Sequence, residues 1–197
     1  TDMIKKQDVI DFFNRCAPSW DAEMIRDDGI INTILDNAGV SSGKTVLDVA
    51  CGTGVLIGDY LKRDVKSVTG IDISPEMIEC AKVKFTDPRV SFSCCDAEEF
   101  DGGVKYDAVM IYNAFPHFPD PEKLLEHLSG LLADGGTLTV AHGMSRETID
   151  AHHHGPSKDV SMGLMEAEKL AGIIGKYLTV VVELSDDRMY QVTGKKV

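Results

Sequence analysis

A short β-rich run, Thr45-Val46-Leu47-Asp48-Val49-Ala50, ends in Cys51-Gly52-Thr53-Gly54 and passes at once into an amphipathic segment closing near Lys62. Strand, glycine turn and helix in that order limit the fold. The glycines permit positive φ and let backbone approach a ligand where a Cβ would clash. The same alternation continues downstream. Ser67–Ile73, Val90–Cys94, Tyr106–Tyr112 and Gly136–Ala141 read as strands, and 75–84, 120–132 and 166–176 read as helices. Ser74 and Pro75 are a ready N-cap and first helical residue. Tyr106–Tyr112 is apolar on both faces, as a central parallel strand is. Leu178–Leu184 and Arg188–Thr193, joined by Ser185-Asp186-Asp187, form an antiparallel pair. The expected fold is α/β: a Rossmann-like doubly wound sheet, mostly parallel, with helices on both faces. Ligands in such sheets bind beyond the carboxyl ends of the strands, where the winding reverses.

Before the first strand, residues 2–37 read as helical, broken at Pro18, with a second helix over Asp27–Ala38 stopped by Gly39. With 197 residues the chain suits one domain over 1–197, its first 40 residues forming a helical cap. Twenty basic against 32 acidic residues give a net charge of −12, which argues against a nucleic-acid partner. No apolar run approaches the ~20 residues of a membrane span, so no membrane partner is expected. No basic segment followed by an apolar stretch opens the sequence, and the cytoplasm is the expected compartment. The five cysteines match no disulfide framework and read as reduced thiols.

Acidic residues recur at successive strand ends. Asp48 precedes the glycines, Asp72 ends the second strand twenty residues after Gly52, and Asp96 follows the third. A carboxylate at the position of Asp72 can accept two hydrogen bonds from ribose hydroxyls. There is no P-loop, and an acid four residues before the first glycine suits a cationic or amino-acid-bearing ligand better than a pyrophosphate.

Together these segments resemble a class I S-adenosylmethionine-dependent methyltransferase. The resemblance rests on Asp48-Val49-Ala50-Cys51-Gly52-Thr53-Gly54, Gly70-Ile71-Asp72-Ile73-Ser74-Pro75-Glu76-Met77, Cys95-Asp96-Ala97-Glu98 and Ala133-Asp134-Gly135-Gly136-Thr137. The opening Phe12-Phe13-Asn14-Arg15-Cys16-Ala17-Pro18-Ser19-Trp20-Asp21 is similar to the cap of the ubiquinone/menaquinone-biosynthesis-like branch. The resemblance implies seven strands with the last inserted antiparallel, S-adenosylmethionine as cofactor, and a small-molecule methyl acceptor as partner. It also implies that the Gly52–Gly54 turn passes under the methionine moiety, with Asp48 orienting its amino group. Asp72 would hold the ribose, Ile73 and Met77 would flank the adenine, and Asp96 and Ala97 would meet its amino edge. Ala50 and Tyr112 are expected to border the same ligand.

The loop after the fourth strand, Tyr112-Asn113-Ala114-Phe115-Pro116-His117-Phe118-Pro119, lacks the polar–Pro–Pro–aromatic pattern of enzymes that methylate amino groups of nucleic acids or protein glutamine. Phe115, Pro116 and Phe118, with Trp20, are expected to wall a small acceptor. His117 and His142 are the candidate general bases, since imidazole titrates near neutrality. Arg146 and Tyr190 are further candidates for contact with the acceptor. His142, His152, His153 and His154 form a candidate site for a divalent transition metal. That cluster also supports an alternative reading, a non-catalytic metal- or metabolite-sensing protein on the same fold.

Overall fold

The computed structural model describes residues 3–152, 155 and 157–197. Among these, seven strands form one sheet in the order β3-β2-β1-β4-β5-β7-β6. They are β1 (Thr45–Val49), β2 (Ser67–Asp72), β3 (Val90–Cys94), β4 (Tyr106–Tyr112), β5 (Leu132–His142), β6 (Thr179–Ser185) and β7 (Tyr190–Lys195). β1 to β5 run parallel, whereas β7 is inserted antiparallel between β5 and β6. The expected architecture therefore holds. The winding reverses between β1 and β4, which places the carboxyl ends of β1, β2 and β4 around one crevice.

Strand alternation assigns the two faces. Val46, Val68, Ala108 and Met110 pack with Ile31, Ile34 and Leu35 of α3 (Asp28–Asn37) and with Ile57 and Tyr60 of α4 (Ile57–Lys62). Leu47, Val49, Val109 and Ile111 pack with Leu124, Leu125 and Leu128 of α6 (Pro121–Ser129) and with Leu170 and Ile174 of α8 (Ala167–Ile174). β4 is buried on both faces, as its sequence requires. α5 (Pro75–Lys84) starts as its sequence predicts: Ser74 Oγ accepts from Met77 N–H at 3.2 Å and Pro75 occupies the first turn. Asp120 caps α6 in the same way, accepting from Lys123 N–H at 3.1 Å.

Within the first 40 residues, α1 (Lys6–Cys16) and α2 (Trp20–Glu23) lie over the crevice, while α3 belongs to the packed face of the sheet. Pro18 sits in a single 3-10 turn, Ala17–Ser19, that joins α1 to α2. β5 begins earlier than the sequence pattern indicates. Its pairing with β4 jumps from Tyr106↔Leu132 to Ala108↔Thr137, so Ala133–Gly136 forms a bulge inside the strand. No helix among the described residues is long and apolar enough to cross a membrane.

Candidate active site

The turn after β1 alternates left-handed residues. Ala50, Gly52 and Gly54 have φ of 56°, 57° and 90°. A side chain in this region costs about 1–2 kcal/mol, so Ala50 carries strain where the two glycines avoid it. The two glycines are not equivalent. A Cβ on Gly52 meets nothing within 4 Å, whereas one on Gly54 falls 2.7 Å from Cε2 of Phe85. Gly54→Ala is therefore expected to lower stability by about 1 kcal/mol more than Gly52→Ala. Urea midpoints of the two variants check this, and equal midpoints contradict it.

The turn is tied to β2 by Asp72. Its Oδ2 accepts from Gly52 N–H at 2.9 Å and its Oδ1 from Ser74 N–H at 2.9 Å. The side chain is 9% exposed. Burial raises its pKa, and the amides of Ser74, Gly52 and Ile73 act against that rise. Asp48, 3% exposed, accepts from the Tyr60 hydroxyl at 3.1 Å. Burial pushes its pKa up to about 7, the Tyr60 hydrogen bond opposes this, and the Asp72 charge adds to it. Asp96 Oδ1 accepts from Glu98 N–H at 2.9 Å, and its Oδ2 takes the Lys6 ammonium from α1.

These acids border one crevice holding about 1180 Å³ of empty space, part of it open to solvent. Asp48, Ala50, Gly52, Asp72, Ile73, Met77, Asp96, Ala97 and Tyr112 all line it, as do Trp20 and His117. The remainder is largely apolar: Val9, Phe13, Met24, Ile25, Val55, Leu56, Phe118 and Pro119. The cap is fastened over it by polar contacts at several points. Lys6 pairs with Asp96 and Glu98, Ser74 Oγ donates to Asn14 Oδ1 at 2.6 Å, and Asp21 accepts from Thr53 Oγ1 at 2.6 Å and from Lys84 at 2.9 Å. Arg26 reaches the carbonyl of Val55 at 2.8 Å and the Asp59 carboxylate.

Residues 46–136 match the family model described as a methyltransferase domain. A malonyl-[acyl-carrier protein] O-methyltransferase of Acetivibrio thermocellus is 36% identical over 143 residues, 71% of this chain and 50% of that protein. A ubiquinone biosynthesis O-methyltransferase of Coxiella burnetii is 31% identical over 99 residues, 49% of this chain and 42% of that protein. This chain thus spans half or less of these relatives' length. Among solved structures, a magnesium protoporphyrin IX methyltransferase from Synechocystis with bound S-adenosylhomocysteine superposes with a TM-score of 0.75 at 17% identity, covering 98% of this chain and 100% of that one. An N-methyltransferase from Bradyrhizobium japonicum gives a TM-score of 0.65 at 17% identity, over 87% and 99%. Residues 46–136 carry a methyltransferase domain, and the fold around them is that of the S-adenosylmethionine-dependent methyltransferases.

In this methyltransferase domain several sequence expectations fall elsewhere. Gly54 shapes the turn without lining the crevice. Phe115 is 3% exposed and packs in the core beneath α6, because the 3-10 turn Phe115–His117 rotates it inward and leaves Phe118 at the crevice. His142 closes β5 opposite Tyr190 of β7 and is 1% exposed, its ring edge-on to Tyr190 at 5.9 Å. It does not line the crevice, which removes it as a base there. Tyr190 is fully buried and its hydroxyl donates to the Met165 carbonyl at 2.9 Å. Burial drives its pKa upward, so it stays a neutral phenol. Arg146 opens α7 (Arg146–His152), donates from Nε to the Leu164 carbonyl at 2.8 Å and faces Asp150 at 3.8 Å, away from the crevice.

Among the described residues no group of three or more His, Cys, Asp or Glu is placed to hold a metal ion. His142 is buried in the sheet and His152 is exposed at the far end of α7, while His153 and His154 lie outside the described residues. The described residues lend the sensing alternative no support. Tyr190→Phe is expected to cost about 1–2 kcal/mol by stranding the Met165 carbonyl. Affinity for S-adenosylhomocysteine should stay unchanged, and thermal melts with calorimetric titration read both. A fall in that affinity would return Tyr190 to the site.

Sequence reasoning did not single out Lys6, Val9, Arg26, Asn113 or Cys95 for the crevice. Lys6, Val9 and Phe13 share one face of α1 at i, i+3 and i+7, a signal present in the spacing. Cys51 and Cys95 line the crevice as thiols whose pKa burial raises, so neither is an activated nucleophile.

Proposed function

We propose that the chain is an S-adenosylmethionine-dependent methyltransferase that transfers a methyl group directly to a small-molecule acceptor. The observation that carries this reading is the set of acids at the ends of β1, β2 and β3, Asp48 and Asp72 buried and Asp96 half-buried, opening onto one largely apolar crevice beside the glycine turn. Their chemistry fits the cofactor. Asp72, held by two backbone amides, presents remaining lone pairs to the ribose hydroxyls. Asp48 orients the methionine amino group. Asp96 and Ala97 meet the adenine edge, with Ile73 and Met77 flanking the base. Tyr112 and Ala50 border the methionine side.

S-adenosylmethionine, when bound, supplies an electrophilic methyl carbon on a sulfonium, so the protein's main task is alignment and water exclusion. Trp20, Phe13, Phe118 and Pro119 make the wall against which an acceptor packs. His117 takes the acceptor proton where one remains at neutral pH. Its Nδ1 lies 2.7 Å from the Val160 carbonyl, which only accepts. Nδ1 therefore carries the hydrogen, and a neutral ring holds its basic lone pair on Nε2. An apolar crevice under a fastened cap on a chain of charge −12 favours a small acceptor over a nucleic acid. Two of the relatives are named O-methyltransferases, which favours an oxygen acceptor.

Calorimetric titration with S-adenosylhomocysteine, followed by a labelled-donor screen over quinone precursors, phenols and thiols, tests the reading. Saturable binding and label on a small acceptor are expected. Absence of binding at millimolar concentration rejects it.

A further inference from the structure

Ser74 stands between β2 and α5, and its polar contacts run in three directions. Its N–H donates to Asp72 Oδ1 at 2.9 Å. Its Oγ accepts from Met77 N–H at 3.2 Å and donates to Asn14 Oδ1 of α1 at 2.6 Å. The same Asn14 oxygen lies 3.5 Å from Glu76 N–H, in the first turn of α5. Ser74 is fully buried, and both α1 and the Ala17–Ser19 turn pack on α5.

The first turn of a helix has amide hydrogens without intrahelical partners. Ser74 serves one of them with a lone pair. Its own single hydrogen then needs a separate acceptor, and burial withholds water. Asn14 supplies that acceptor, which fixes the hydroxyl in the direction that caps Met77 N–H. The start of α5 is therefore held jointly by Ser74 and by a residue 60 positions earlier in the chain. Asn14 does not line the crevice, whereas Asp72, Ile73 and Met77, on either side of Ser74 in the chain, all do.

We infer that Asn14 is a positioning residue for the cofactor: its amide oxygen, delivered by α1, holds Ser74 and with it the turn that presents Asp72, Ile73 and Met77. Without that oxygen the turn leaves the competent geometry for part of the time, and apparent affinity falls by the fraction that stays competent. The coupling is reciprocal, so a ligand on the turn favours α1 in its docked place. The inference rests on the proposed function in seating the adenosine end of the cofactor on this turn.

Calorimetric titration of the full chain with S-adenosylhomocysteine tests it, with circular dichroism as the folding check. Asn14→Ala should bind about tenfold more weakly than wild type. Asn14→Asp keeps an acceptor oxygen and should bind within about threefold of wild type. Ser74→Ala should also lose affinity, and adding Asn14→Ala to it should cost little more, because both act through one hydrogen bond. Amide exchange across Lys6–Cys16 should slow when the ligand binds the wild type, and should respond less in Asn14→Ala. Asn14→Ala binding within about twofold of wild type overturns the inference and leaves the proposed function standing. Losses that add in the double variant do the same, as do equal losses in Asn14→Ala and Asn14→Asp. A wild type that binds no S-adenosylhomocysteine removes the inference together with the proposed function.

Discussion

Asp72→Ala is expected to weaken binding of S-adenosylhomocysteine by at least about a hundredfold. Two hydroxyl-to-carboxylate hydrogen bonds at about 1.5–3 kcal/mol each give about 3–6 kcal/mol, and each 1.4 kcal/mol is tenfold. The same carboxylate also orders the turn that the ligand must pass, through Gly52 N–H and Ser74 N–H at 2.9 Å each. For that reason Asp72→Asn is not a conservative change. Both carboxylate oxygens face a backbone donor, and an amide would set its own NH₂ against one of them. The two variants are therefore expected to lose binding to a similar degree, where a purely electrostatic role would spare more of it in the amide. Titration calorimetry on folded protein, with circular dichroism as the folding check, decides the matter. Asp72→Asn binding within threefold of wild type would remove the ribose assignment.

The parallel core was legible because each strand is a short β-rich run flanked by its own turn signal, and capping residues such as Ser74 and Asp120 act locally. The same locality explains the acids: Asp48 and Asp72 stand at strand ends that the sequence marks, and both reach the crevice. What failed depends on contacts far apart in the chain. His142 ends a strand on the ligand side of the sheet, yet its neighbour is Tyr190, 48 residues later, and the antiparallel insertion of β7 encloses both. Arg146 stays a candidate for acceptor contact in the sequence because its partners, the Leu164 carbonyl and Asp150, are fixed only when the chain after α7 folds back. Of the two phenylalanines in that loop, Phe118 reaches the crevice while one 3-10 turn puts Phe115 in the core, a rotation that residue type does not encode. Lys6 shares its helix face with Val9 and Phe13, but a lysine near a helix start reads as solvated until its acidic partners, 90 and 92 residues away, are in place.

Asp48 is expected to make the protein's stability and its affinity for S-adenosylhomocysteine depend on pH in opposite senses. Its folded pKa, pushed up to about 7 by burial, lies above the unfolded value near 3.8. Between these limits the folded state binds the extra proton, so stability falls as pH rises, on the order of 4 kcal/mol across the window for this group alone. The cause is the cost of burying the carboxylate, increased by the Asp72 charge and only partly offset by the Tyr60 hydroxyl. A cationic amine seated against Asp48 reverses that preference, since it stabilises the ionised form. Ligand binding then expels a proton below pH 7, and affinity for S-adenosylhomocysteine should climb up to tenfold per pH unit from about 5.5 to 7 before levelling. Asp48→Asn should flatten both slopes, making the ligand-free protein more stable at pH 8 while leaving affinity weak and nearly independent of pH. Urea unfolding and calorimetry across buffers of different ionisation enthalpy measure the two sides separately. Wild-type affinity that stays constant from pH 5.5 to 7.5 would show that no ammonium pairs with Asp48, and the methionine end of the ligand would have to be placed elsewhere in the crevice.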